Sequence, residues 1–487
     1  MKTVIYAPIA LWERHWAYAI EIAHHEHSLG NEVLIVNCTK ALLSCAANPN
    51  HLVWRCNQCV HQSKTSRREH FPEGTQHISL SASDLYQVTK GIAIPKVKNS
   101  EEMYRFEYDG FRFGSNVMSH LISIHREQVI ADKIIQSVGQ SLLINSISMY
   151  ESLLLALPGD IKKVFMWGGR RPSESPMMYV AQKRDTELVY FEEGSLPTRY
   201  ITTTESLWEF ASTNKSIRDW EKIRMKRDNI STIIEEGATF FSDRREGKSK
   251  EPNFVWFMRG FEGVPKAKLS EKLNLGFFTS SQWEIAENEL ENLNNPFIDF
   301  VDQFSTLTRT LKSDFILNAF EVVIRWHPNH SNAGQLERER IDQIVDDFTN
   351  VTHIKYSDKF DSYRVIESCD VVIVFGSTIG IEAAFMGKPT VLLGGAAYSD
   401  LGSVYEPRDF KEFQALMESN LNPLPKYGAL LFGDYMKNRG IDLKYVTNEE
   451  DKFYVQGRRI KSSSVFVRAR FLFGAIKRRA LRFVKSN

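Results

Sequence analysis

Apolar residues follow two patterns along this chain. Short, nearly continuous runs occur at Thr3–Ile9, Glu32–Val36, Lys163–Trp167, Glu187–Phe191, Leu273–Phe278, Val322–Trp326, Val371–Phe375 and Thr390–Leu393. Runs of this kind predict strands of a parallel sheet, which is covered on both faces. Between them apolar positions recur every three or four residues, predicting helices over Trp12–Leu29, Ser141–Ala156, Ser175–Lys183, Pro296–Asp314, Ile379–Met386 and Arg408–Asn420. Gly30-Asn31 stops the first of these. The alternation predicts an α/β chain with a first domain over 1–265, a second over 266–430, and return helices with a tail over 431–487. Residues 60–135 have little periodicity and read as insertions and helices over the first sheet. Residues 203–260 read as an excursion and linker.

The strand ends carry the chemistry. In open parallel sheets, ligands bind at the carboxyl ends of the strands. There the sequence puts His327-Pro328-Asn329, Gly376-Ser377-Thr378 and Gly394-Gly395 in one half, and Glu192-Glu193-Gly194-Ser195 in the other. Ser377 and Thr378 precede a helix, so their hydroxyls and the first amides are placed for a phosphate. Thr279-Ser280-Ser281 is a second hydroxyl-rich turn, read as a phosphate contact or as helix capping. Glu382, one turn below Thr378, is set to accept from ribose hydroxyls or to pair with a basic neighbour. Adjacent acids on a strand point to opposite sides, so one of Glu192 and Glu193 is expected to face the site. Arg14 and His15, at the start of the first helix, read as surface or capping residues, with a substrate contact as the alternative.

Composition narrows the classes. With 487 residues, 43% hydrophobic and 25% charged, the chain is sized for two or three soluble domains. A net charge of +1 gives no general argument for nucleic acid. The charge is uneven, however: Arg458 to Lys485 holds ten Lys/Arg and no acid. At about 100° per residue, Val465, Phe466, Ala469, Leu472, Phe473, Ile476 and Phe483 share one face of this tail. A basic amphipathic C-terminal helix is expected, lying on an anionic membrane surface or docked on the first domain. No apolar run reaches the roughly 20 residues of a membrane span. A strand follows Lys2 at once, so no export signal is expected, and the five cysteines are expected as reduced cytosolic thiols or metal ligands. Cys38, Cys45, Cys56 and Cys59 include a Cys-x-x-Cys pair, compatible with a structural zinc or with buried lone thiols. Without an Asp-x-Asp pair, no divalent ion is expected to be obligatory for catalysis.

Four stretches carry a resemblance. Arg325-x-His327-Pro328, Ser377-Thr378-x-Gly380-x-Glu382 and Gly387-Lys388-Pro389, with Tyr190–Ser195 (YFEEGS) upstream, resemble the motifs of bacterial capsule and surface-polysaccharide glycosyltransferases, particularly those using CMP-linked Kdo or sialic acid. The resemblance implies a GT-B architecture, two Rossmann-like domains facing each other across a cleft. It implies that Glu193 is the catalytic base and Glu192 structural, with Gly194 leaving room for substrate. His327 would stabilise the departing phosphate, and Ser280, Ser281, Arg325, Pro328, Ser377, Thr378 and Glu382 would hold the nucleotide-sugar donor. Inverting transfer to a hydroxyl of a glycan or lipid-linked glycan of capsule or lipopolysaccharide type follows, in a cytoplasmic protein peripheral to the inner membrane. The rivals are a UDP-sugar transferase or epimerase, a CDP-glycerol glycerophosphotransferase, and a non-catalytic glycan-binding or export scaffold. The intact FEEGS and RWHP stretches count against the last.

Overall fold

The computed structural model describes residues 1–206, 210–249, 272–284, 298–300 and 302–460. The expected amphipathic tail helix lies outside these residues, as do parts of the expected Pro296–Asp314 helix.

Two sheets organise the chain. In the first, β1 (Lys2–Tyr6), β2 (Glu32–Thr39), β3 (Gln76–Ser81), β4 (Ile161–Trp167), β5 (Glu187–Glu193) and β6 (Arg199–Thr203) lie in the order β6-β5-β4-β1-β2-β3. All pairings are parallel except β5–β6. In the second, β7 (Leu273–Phe278), β8 (Phe320–Arg325), β9 (Thr352–Ile354), β10 (Val371–Val374) and β11 (Thr390–Leu392) form a fully parallel sheet, ordered β11-β10-β7-β8-β9. Val371 to Val374 are all buried, as a strand with helices on both faces must be. Each such side chain contributes about 1.5–3 kcal/mol when removed from water. These are two Rossmann-like domains in the GT-B arrangement.

The seam between them differs from the expected one at 265. Helices Phe210–Arg227 and Ile230–Arg245 belong to the second domain: Ile217, Ile233, Phe240 and Phe241 share one buried cluster with Phe278, Val372, Ile381 and Leu431. Their many charges made them read as an excursion, and the narrow apolar stripe that docks them is visible only once a partner surface exists.

The chain then returns. Helix Tyr427–Asn438 leads back to the first domain, where the expected further helices are strands instead. β12 (Ile441–Asp442) joins the free edge of β6, and β13 (Val446–Glu449), β14 (Lys452–Val455) and β15 (Arg458–Arg459) form a small antiparallel sheet. That sheet packs Val446, Phe453, Val455 and Ile460 among Trp16, Ala17 and Tyr18 of the first helix, Glu13–Ser28. Glu21 pins it. Its buried carboxylate accepts the backbone N–H of Lys444, Tyr445 and Val446 at 2.8, 2.8 and 2.9 Å. A buried carboxylate is costly unless hydrogen-bonded, and three donors meet that need.

A groove of about 330 Å³ runs between the domains, with Glu192 and Ile201 on one wall and Ser212, Trp220 and Tyr435 on the other. Among the described residues no helix is long and apolar enough to cross a membrane.

Candidate active site

β1, β4 and β5 are neighbours, so their carboxyl ends meet. The first helix begins just beyond β1 and brings Arg14 and His15 to the end of β5. His15 Nε2 lies 3.0 Å from Glu192 Oε1, and the indole N–H of Trp167, last residue of β4, donates to the other oxygen. Glu193 N–H also donates to Glu192 Oε1, at 2.8 Å. Burial raises the Glu192 carboxyl, but the bonds from His15, Glu193 N–H and Trp167 outweigh it and hold the group below its ordinary value. The His15 ring packs against both Trp12 and Trp167, at centroid distances of 4.3 and 4.7 Å, and those two rings meet each other at 4.2 Å. Glu193 is held separately: Arg14 donates to its Oε2 at 2.8 Å.

The two acids therefore do not point apart. An oxygen of each lies within 4.8 Å of the other and of a His15 nitrogen. The cause is local, because Glu192 folds back onto the N–H of Glu193 at the strand's end. Such a trio has the spacing of a cation site, but the indole N–H, the amide N–H and the Arg14 guanidinium already serve its oxygens. It is an assembly of donors around two carboxylates. Gly194 has another reason than substrate room. A Cβ there would lie 2.7 Å from the Arg199 Cβ and 2.9 Å from its carbonyl carbon, so the glycine lets β6 turn back tightly on β5.

A second cluster surrounds His327, at the carboxyl end of β8; His327 is not among the residues lining the groove that Glu192 borders. Thr279 Oγ1 accepts the His327 N–H at 2.9 Å. Nδ1 accepts from Asn329 N–H at 3.2 Å and lies 3.4 Å from Ser281 Oγ. An accepting Nδ1 leaves the proton on Nε2. Burial, with His330 and Arg325 nearby, pushes the ring down to about 3, so it is neutral at ordinary pH. Pro328 opens the 3-10 turn Pro328–Asn332, where its fixed φ suits the first position. Beneath lies His330, fully buried between Thr279 Oγ1 (3.2 Å) and Glu337 Oε1 (3.0 Å).

Three expected donor ligands are engaged elsewhere. The Arg325 guanidinium turns inward and donates to the carbonyls of Lys355 (2.7 Å) and Asp358 (3.4 Å), bracing the loop after β9. Its side chain is buried, so the expected phosphate contact is corrected to a structural one. Glu382 is also buried and faces Arg244 of helix Ile230–Arg245 at 2.9 Å, not a ribose pocket. One turn below Thr378 is inside this short helix's packed face. The Ser280 hydroxyl bonds to Phe375 O and its N–H to Gln303 Oε1 at 3.0 Å, joining the ends of β7 and β10. Ser377 is half-buried and Thr378 exposed beside Gly376, whose φ of +68° favours a glycine and where a Cβ would lie 2.9 Å from Gly395 O. These two stay at the open strand end, as expected.

The four cysteines expected as zinc ligands lie near one another without the close spacing of a formed four-thiolate site. Cys38, Cys45, Cys56 and Cys59 are all free thiols, and no three sulfurs lie within 4.8 Å of one another. Burial pushes Cys45 up to about 12 and Cys59 to about 11, which keeps both protonated.

Trp167 and Asp451 carried no signal in the sequence. Asp451, at the β13–β14 tip, lies 3.4 Å from Arg14. For His15 there was a signal: with Tyr18, Ala19 and Ile22 it forms a buried i, i+3, i+4, i+7 stripe, and a histidine on such a stripe needs a polar partner.

The second domain can be placed by comparison. Residues 297–419 match the family of capsule polysaccharide biosynthesis proteins. No curated protein matches the chain. Among solved structures it is similar to Thermosulfurimonas dismutans KpsC, beta Kdo 2,4 transferase, at 13% identity over 63% of this chain and 86% of that one, with a TM-score of 0.35. The beta Kdo 2,7 transferase of KpsC from the same organism is similar at 14% identity over 59% and 80%, TM-score 0.35. The UDP-GlcNAc 2-epimerase of Neisseria meningitidis, bound to UDP-GlcNAc, is similar at 14% identity over 90% and 97%, TM-score 0.26.

Proposed function

We propose that this GT-B protein of the capsule-synthesis type is a glycosyltransferase moving a sugar from a nucleotide-activated, CMP-linked donor to a hydroxyl of a surface glycan. The observation that carries the reading is the half-buried Glu193 carboxylate at the end of β5, held by Arg14 alongside a fixed Glu192. A base must lie within hydrogen-bond reach of the proton it takes, and strand ends in α/β folds present such groups to substrate.

In the proposed step the acceptor oxygen forms its bond to the anomeric carbon while the bond from that carbon to the donor phosphate breaks. The acceptor proton passes to Glu193, and the nucleotide leaves with the electron pair. A single displacement of this kind inverts the anomeric centre. Neutral His327, protonated on Nε2, donates to the leaving phosphate, where negative charge grows. Ser377 and Thr378 hold that phosphate from the end of β10, two strands from β8 with β7 between them. The basic segment from Arg458 to Lys485 would bring the protein to an anionic inner-membrane surface, where each basic residue contributes about 1 kcal/mol.

Replacing Glu193 by Gln tests the assignment: transfer should fall at least 100-fold with folding intact, and near-normal turnover would remove the base. A thermal-shift screen with CMP, CDP and UDP tests the donor. Stabilisation by CMP is expected, and a response to UDP alone would replace the CMP reading.

A further inference from the structure

The C-terminal return segment reaches the candidate active site. Residues 441–460 are bound to the first domain by the β12–β6 pairing, by the three amides on Glu21, and by Gln62, which donates to Ile460 O. The β13–β14 turn is thereby fixed over the start of the first helix. Glu450 and Asp451 both take left-handed backbone there, with φ of +48° and +60°, so a tight two-residue turn aims its acids. Asp451 Oδ1 lies 3.4 Å from one terminal nitrogen of Arg14, while the other nitrogen lies 2.8 Å from Glu193 Oε2. A single guanidinium is thus shared between an acid from the middle of the chain and one from near its end. An arginine fork pairs most strongly with a carboxylate when both its nitrogens serve it, and here one nitrogen is committed elsewhere.

We infer that Asp451 is a positioning residue for the transfer reaction: it draws Arg14 away from a two-pronged grip on Glu193 and so keeps that carboxylate basic enough to take the acceptor proton. This rests on the reading of Glu193 as the base. The charged and titratable groups around Glu193 are Arg14, His15 and Tyr18 on the first helix, Glu192 beside it on β5, Tyr200 opposite it on β6, and Asp451 on the turn; Tyr18 interacts with Glu193, Arg14, Glu192 and Asp451 together. Removing Asp451 takes one negative charge from this set and frees Arg14 to grip Glu193 with both nitrogens. Both changes favour the ionised carboxylate, so both make it a weaker base.

The test is the pH dependence of kcat for the full chain and its Asp451→Asn variant, with Glu450→Gln as the control. The acid limb of the Asp451→Asn profile should move down by about 0.3 pH unit or more, the size expected of one exposed charged neighbour. Turnover near neutral pH should drop about two- to fivefold, as a weaker base transfers protons more slowly. The donor KM and the melting temperature should stay close to wild type, and Glu450→Gln should leave the profile in place. Superimposable profiles for Asp451→Asn overturn the inference. So does a uniform fall in rate at every pH accompanied by a lower melting temperature, which marks a structural role only. The two readings fail separately: an active Glu193→Gln removes the base itself, whereas an inactive Glu193→Gln with an unmoved Asp451→Asn profile removes only the positioning role.

Discussion

Glu127 accepts the backbone N–H of Leu336 at 2.9 Å, so an acid of the first domain caps a helix of the second. The same carboxylate lies 3.2 Å from Glu337 N–H. Helix Gln335–Asp347 begins at Gly334, which offers no side chain, and a Cβ there would collide with the Glu127 carboxyl. Arg126 adds its carbonyl to Gly334 N–H at 2.8 Å and its guanidinium to Asn332 O at 3.1 Å. The turn that carries His327 is thus steadied from across the cleft.

Loss of this cap should be measurable. Glu127→Ala is expected to lower stability by about 1 kcal/mol, the usual cost of a lost N-cap, and to raise the donor KM by loosening the His327 turn. Calorimetry and initial rates check both, and a variant unchanged in both would show that the contact steadies nothing.

Stability should also depend on pH through Glu337. Burial, opposed by the N–H groups of Trp283 and Gln282, raises its carboxyl to about 7. The protonated form is favoured in the folded state, so its contribution is full below the ordinary carboxyl range and is lost as pH rises through about 7. The loss is on the order of 3 kcal/mol at most, at 1.36 kcal/mol per unit. Glu337→Gln removes the charge and keeps one carbonyl acceptor; its NH2 cannot accept, so one of the N–H groups of Gln282 and Trp283 loses its partner at every pH, a cost that does not vary with pH. Its melting temperature relative to wild type should therefore climb between about pH 5 and 8, and a constant difference would refute the assignment.

His327 should act as a neutral donor. His327→Ala is expected to reduce kcat by roughly 100-fold, as for removal of one donor from a developing negative charge, and to lower stability by about 1 kcal/mol through loss of the cap on Asn329 N–H. Because the ring is pushed down to about 3, no limb of the wild-type rate profile near neutral pH should disappear in the variant. Disappearance of such a limb would mean that the imidazolium is the working form.

Gly194→Ala should damage the site through the backbone. A methyl 2.7 Å from Arg199 Cβ forces β5 and β6 apart, at about 1–3 kcal/mol for overpacking. Melting temperature and transfer should fall together, and a variant with normal stability would show that the turn relaxes freely.

Much of this was legible in the chain. Nearly continuous apolar runs at β1, β4, β7, β8 and β10 announced parallel sheets, because a strand covered on both faces is apolar at consecutive positions. The small polar loops after those runs announced where a ligand would bind. Arg325 and Glu382 were legible as positions but not as roles. Both motifs occur at the expected spacing, yet the side chains turn inward to Lys355 O, Asp358 O and Arg244. Spacing along a strand or helix gives the face of a residue, whereas its partner comes from another part of the chain.

The sequence by itself determined two α/β domains, the loops at the carboxyl ends of their strands, and the paired acids of β5, since these follow from local periodicity and from strand ends. Tertiary structure alone decided which side chains are occupied: that His15 and Trp167 fix Glu192, that Arg14 is shared by Glu193 and Asp451, and that Glu21 holds three amides more than 420 residues away along the chain. Hydrogen bonds and ion pairs act over a few ångströms of space whatever the distance along the backbone, so only the folded chain can show who meets whom.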